Sequence, residues 1–229
     1  MSRKGKAKKR KAERLRNKKL IDRYPWISPV NWHWKRIQSY NFTMYDDVPK
    51  GWKRAFGKIM LEEYREALIR CNYLDKFQWI QVKEKYGTLR LYSNAAPKEV
   101  SDLESKYDHI SGYFCIECGR MNVPVLTGGW VEPLCEDCYN KRIARQKRWH
   151  EKDHPDREFK YTPYKDLKKE EQKLDMIAVY KHFSADRGDY EEKRDYSDTI
   201  NKIIARQGKL FWIDTSDSFY KHAFYNKQE

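Results

Sequence analysis

The chain has 229 residues, of which 39% are hydrophobic, 15% aromatic and 36% charged, and it carries a formal net charge of +14. That length accommodates one large or two small domains, with aromatics enough for a core and charges enough to keep much of the chain solvated. No apolar run approaches the roughly 18 residues of a membrane span, and no apolar segment follows the basic N-terminus, so a membrane partner and a secretory signal are excluded and a soluble cytoplasmic protein is expected.

The charge is concentrated. Residues 1–20 hold eleven Lys or Arg against the single acid Glu13, a net +10, which leaves +4 for the other 209 residues. A like-charge run of this kind is expected to be a disordered tail, 1–22, that attracts polyanions. Lys8, Lys9, Arg10, Lys11, Arg14 and Arg16 are its candidate nucleic-acid contacts. A tail that only solubilises is the plainer alternative.

Residues 24–45 carry Tyr24, Trp26, Trp32, Trp34, Tyr40, Phe42 and Tyr45, interrupted by two prolines. An irregular arm is expected, anchored in the core rather than stacked on bases, because tryptophan is mostly buried in folded chains. Pro49 and Gly51 open a helical pattern in which Trp52, Phe56, Ile59, Met60, Ala67 and Leu68 share one face. In 77–93, Ile80 and Val82, then Leu89 and Leu91, alternate with polar residues around Gly87, which predicts a β-hairpin. Glu84 is expected to pair with Arg90 across it. Pro97 begins a second helix with Val100, Leu103, Tyr107 and Ile110 as its stripe.

Cys115-x-x-Cys118 and Cys135-x-x-Cys138, sixteen residues apart, have the spacing of a four-cysteine zinc site. Each pair lets two thiolates reach one ion while backbone N–H groups of the turn bond the sulfurs. Gly119 suits a tight knuckle, and Thr127–Gly128–Gly129 turns the chain between two short runs, as in a zinc ribbon. An odd cysteine count in a reducing compartment argues against disulfides. Cys71, the fifth, is expected to be a buried small hydrophobe. Four cysteine ligands close the coordination sphere, so one structural Zn2+ is expected.

Together, "GWKRAFG", "QVKEKYGTLRLY", "CIECG", "TGGW" and "LCEDC" resemble a group of small phage and bacterial zinc-knuckle proteins over roughly 49–139. The resemblance implies a phage or bacterial protein that holds zinc, placed in the bacterial host cytoplasm if phage-encoded. It brings no activity with it.

Beyond Cys138 a basic helix is expected to about His154, stopped by Pro155. Its Lys141, Arg142, Arg145, Lys147 and Arg148 form a candidate positive patch, which Glu136, Asp137 and Glu151 could partly neutralise. The "HEKDH" at 150–154 formally matches the zinc-peptidase pattern, but Lys152, Asp153 and the adjacent Pro155 argue against it. A further helix is expected from Thr162–Pro163 through Leu167, Leu174, Ile177 and Ala178, and a short one from Ser197 through Ile200, Ile203 and Ile204 to Gly208, with a strand at 209–214. No P-loop, dinucleotide fingerprint or nucleophile elbow is present.

The expected fold class is therefore α+β. A tail at 1–22 and an arm with a helix–β-hairpin–helix unit at 23–111 lead to a zinc ribbon at 112–140 and a mainly helical C-terminal region at 141–229. The expected function is non-enzymatic binding to nucleic acid or a nucleic-acid-containing machine. Modulation of a host protein by a phage protein is the alternative, and a zinc peptidase the remote one.

Overall fold

The computed structural model describes residues 3–33, 35–183 and 188–207. The expected disordered tail is instead a helix, α1 (Arg3–Arg23). Lys, Arg, Ala, Leu and Glu fill most of it, all good helix formers, and charge density alone misses that propensity. Lys9–Glu13 (3.8 Å) and Lys18–Asp22 (2.8 Å) add ion pairs one turn apart. Its C-terminal turns are docked. Leu20 and Ile21 pack on the core, buried Asn17 donates to the Tyr40 carbonyl at 3.0 Å, and Arg16 and Arg23 pair with Asp46 and Glu62.

The aromatic arm is anchored at both ends, with Met44 buried and Tyr45 packed on the core at the second. Tyr24, Trp26 and Ile27 are buried, and the Gln78 side-chain amide donates to the carbonyls of Trp26 and Ser28. Trp32 departs from the expectation and is 82% exposed. Trp34 lies outside the described residues.

A short helix α2 (Lys50–Trp52) runs through a wider π-turn, Lys53–Gly57, into α3 (Lys58–Arg70). Trp52, Phe56, Met60, Tyr64, Ala67 and Leu68 of this stretch are buried, while Ile59 is only half-buried. Strands β1 (Trp79–Lys85) and β2 (Thr88–Ser93) form the predicted hairpin. Its two-residue turn has positive φ at both Tyr86 (53°) and Gly87 (81°), the mirror-image geometry that matches strand twist. A register shift between Trp79 and Gln81 lets both Trp79 and Val82 face the core. The expected Glu84–Arg90 pair does not form, because the register places Lys83 opposite Arg90. Arg90 instead pairs with Asp108, and Glu84 accepts the Gly87 N–H at 2.7 Å.

Helix α4 (Lys98–Ser111) covers β2 and packs on α3, with Val100, Leu103, Tyr107 and Ile110 buried as predicted. Stacked and edge-to-face rings of Phe56, Tyr64, Phe77, Trp79, Tyr107 and Phe114 fill the space between them.

Strands β3 (Val125–Leu126) and β4 (Glu132–Pro133) make the small antiparallel pair between the cysteine knuckles. Helix α5 (Glu136–Asp153) follows, buries no residue, and ends before Pro155 as expected.

The region after it is not mainly helical. The expected helix from Pro163 is a single 3-10 turn, Tyr164–Asp166, followed by β5 (Lys169–Glu170), which pairs with β3. The reason is packing. Leu167 joins the cluster around the cysteines and Leu174 joins the main core, and one helix face could not serve both. Ile177 and Ala178 fall in β6 (Ile177–His182), antiparallel to β7 (Tyr190–Asp195). Helix α6 (Ser197–Gln207) returns Ile200, Ile203 and Ile204 to the main core, against α3 and the π-turn. Gly208 and the strand expected at 209–214 lie outside the described residues. Mixed α+β remains the class.

Candidate metal centre and basic faces

The two knuckles bring four sulfurs together. The ligand atoms of Cys115, Cys118, Cys135 and Cys138 all lie within 4.8 Å of one another, and the Cys118 and Cys135 sulfurs are 3.7 Å apart. Cys115 and Cys135 are buried, the other two half-buried. The backbone shapes each knuckle around its sulfurs. Gly119 N–H donates to the Cys115 carbonyl and Tyr139 N–H to that of Cys135. The Cys118 and Cys135 N–H groups bond to the Cys115 sulfur, and the Arg120 N–H to that of Cys118. Gly119 has φ +81°, the left-handed conformation that the tight turn requires.

The four sulfurs share charge unequally. Hydrogen bonds from the Cys118 and Cys135 thiols lower the pKa of Cys115. Donating to Cys115 pushes the Cys118 thiol up to about 12, and burial together with the charge at Cys115 pushes Cys138 up to about 12. One thiolate forms easily and then holds back its neighbours. A metal ion at the centre lets all four sulfurs carry charge at neutral pH. The set can hold one metal ion, with no ligand position left over for substrate. Val123, Leu126 and Leu134 back the sulfurs from within, and Tyr139, Tyr164 and Leu167 flank them.

The centre is seated directly on the helical core. Gly51 N–H donates to the Ile116 carbonyl at 2.8 Å, and Trp52 Nε1 donates to the Phe114 carbonyl at 2.9 Å. A Cβ on Gly51 would come within 2.2 Å of the Cys115 carbonyl oxygen and 2.7 Å of the Gly119 nitrogen. The knuckle backbone thus rests on the α2 backbone with no room for a side chain.

His150, Glu151 and His154 do not build a second centre. The two imidazoles are 5.4 Å apart between ring centres, but among the described residues only the four cysteines gather three or more metal-ligating groups. Cys71 is half-buried rather than buried, and its thiol lies 3.4 Å from a Glu99 carboxylate oxygen.

The basic candidates fall on two faces. On α1, residues 6–11 are exposed, and Lys8, Arg10, Lys11 and Arg14 have no acidic partner among the described residues. Arg16 is engaged with Asp46 at 2.9 Å. On α5, Lys141, Arg145 and Arg148 are exposed and likewise unpaired among the described residues, while Lys147 has Glu151 at 3.8 Å. Arg142 is different. It forks onto buried Glu132 and also reaches Glu117, which ties α5 to β4 and the first knuckle.

Sequence reasoning missed the cleft at the end of α5, ≈ 700 Å³ in volume and lined by Arg145, Gln146, Trp149, His150, His154 and Phe159. Its one visible sign in the chain is a lone tryptophan in "RQKRWHEKDH". No helix among the described residues is long and apolar enough to cross a membrane. No protein-family model, curated protein or solved structure matches the chain.

Proposed function

We propose that this is a zinc-stabilised, non-enzymatic protein that binds nucleic acid through α1 and the exposed face of α5. Zinc is the favoured ion because it prefers a closed tetrahedral set of thiolates. Sulfurs about 2.3 Å from such an ion would stand about 3.8 Å apart, beside the 3.7 Å between Cys118 and Cys135. The resemblance over 49–139 would place the protein among phage or bacterial zinc-knuckle proteins, in a cytoplasm that keeps thiols reduced.

The observation that carries the nucleic-acid reading is α1. It is a 21-residue helix whose last turns are fixed to the core while residues 6–11 stand exposed, with Lys8, Arg10 and Lys11 unpaired among the described residues. A helix of that length is about 30 Å long, so a rigid row of cations could follow a phosphate backbone. Phosphate contacts of this kind position a protein without reading sequence.

The test replaces Lys8, Lys9, Arg10 and Lys11 by Gln together, which leaves the docked turns intact. For every phosphate left without its cation, the log–log dependence of duplex affinity on salt should flatten by about 0.9, up to about 3.6 for all four. An unchanged slope would contradict the proposal. The alternative, a phage protein that modulates a host protein, predicts capture of one protein partner that survives nuclease treatment and the same four substitutions.

A further inference from the structure

The cleft at the end of α5 narrows the kind of nucleic acid, and its role as a binding site rests on the nucleic-acid reading already proposed. Trp149 is 71% exposed on a helix that buries nothing. Among the described residues most of this ring is left in water, beside Arg145, Gln146, His150, His154 and Phe159. After Pro155 the chain turns back, with the Arg157 N–H donating to the His154 carbonyl at 3.1 Å. That turn lays Phe159 against His150, ring centres 5.5 Å apart, and Tyr161 stacks on Phe159 at 6.0 Å. The result is a cleft with aromatic walls.

The charge around it is suited to phosphate. None of the six lining residues is a carboxylate. Lys141, Arg145, Arg148 and Lys152 lie three, four, seven or eleven residues apart, which puts them on one stripe of α5 alongside Trp149. Of the nearby acids, Glu151 faces Lys147 at 3.8 Å and Glu158 faces Lys160 at 3.9 Å, while Asp153 and Asp156 are exposed outside the lining. The Gln146 amide and the His154 imidazole supply donors and acceptors for a base edge.

We infer that this cleft takes one unpaired base, stacked on Trp149, with the neighbouring phosphates on Arg145 and Lys141, so that single strands are preferred over duplex. A paired base has both faces occupied by its neighbours, whereas an unpaired base offers its π-face to a side chain.

The test measures anisotropy of a labelled single strand and of the matching duplex, with the full chain loaded with zinc. Trp149→Ala should weaken single-strand binding roughly five- to 150-fold, the range measured for loss of one base–aromatic stack. Duplex affinity should move less than about two-fold, and Trp149→Phe should recover most of the loss. Because Trp149 is exposed, these variants leave the core untouched. Equal loss on both substrates, or no loss on the single strand, would overturn the inference while leaving the nucleic-acid proposal standing. Failure of the wild-type chain to bind either substrate would overturn both.

Discussion

At the scale of single residues, the decisive position is Gly51. The four cysteines set where a metal ion could sit, but Gly51 sets how closely that centre approaches the helices. Any side chain there collides with backbone of the first knuckle, 2.2 Å from the Cys115 carbonyl oxygen and 2.6 Å from that of Ile116. Backbone atoms in a metal knuckle cannot step aside as a flexible side chain can. Gly51→Ala should therefore destabilise the fold by about 1–3 kcal/mol or more, read as a lower denaturant midpoint. Gly129→Ala is the control, since nothing lies within 4 Å of a Cβ there. The need for glycine at 119 is visible in the chain, because a Cys-x-x-Cys-Gly knuckle calls for positive φ. The need at 51 is not, because it arises from a contact across some sixty residues.

At the scale of elements, α3, α4 and α6 are joined by one carboxylate. Glu63 on α3 accepts from Lys106 Nζ (3.0 Å) and Tyr107 Oη (2.9 Å) on α4, and from Thr199 Oγ1 (2.7 Å) on α6. Burial alone would raise its pKa, yet the Lys106 charge and these hydrogen bonds outweigh burial and hold it below the usual carboxylate range. The folded pKa is thus lower than the unfolded one. Glu63 contributes stability above the ordinary value of 4.5, and that contribution is lost as pH falls from there through the folded pKa. Glu63→Ala, by removing the acceptor shared by Lys106, Tyr107 and Thr199, should cost about 1–3 kcal/mol at neutral pH and remove part of this acid dependence. Urea unfolding at neutral pH and at acid pH checks both.

The elements also show what the chain discloses and what it conceals. Helices α3 and α4 and the hairpin are legible because each has its own period, and nearly every apolar residue on their stripes is buried. The segment 163–182 is misleading because its leucines belong to two different cores, so their spacing reflects no single face. In β6, Ala178 is buried and Tyr180 half-buried while Ile177 and Val179 face out, a period-two pattern rich in β-branched residues that a helical reading overlooks. Helix α1 is hidden for another reason. A basic run looks the same whether it is coiled or helical, and it is the docking of Asn17, Leu20 and Ile21, with the Arg16 and Arg23 ion pairs, that fixes the last turns.

At the scale of the whole molecule, the cysteine centre is a junction. Knuckle one rests on α2, β3 takes β5 along its free edge, and α5 leaves directly from the second cysteine pair. Arg142 extends the junction by binding Glu132 and Glu117, which ties α5 to β4 and the first knuckle. The surface proposed to meet nucleic acid thus continues directly from the four-cysteine centre. Structural zinc sites in small peptides contribute on the order of 10–16 kcal/mol, enough to decide whether so small a segment folds.

The most direct measurement is metal content by elemental analysis of the chain purified under reducing conditions, alongside Cys135→Ser and the double variant His150→Ala, His154→Ala. The account predicts one zinc per chain in the wild type and in the histidine variant, and its loss in Cys135→Ser. A wild-type chain without metal, or zinc that survives Cys135→Ser and leaves with the histidines, would contradict it.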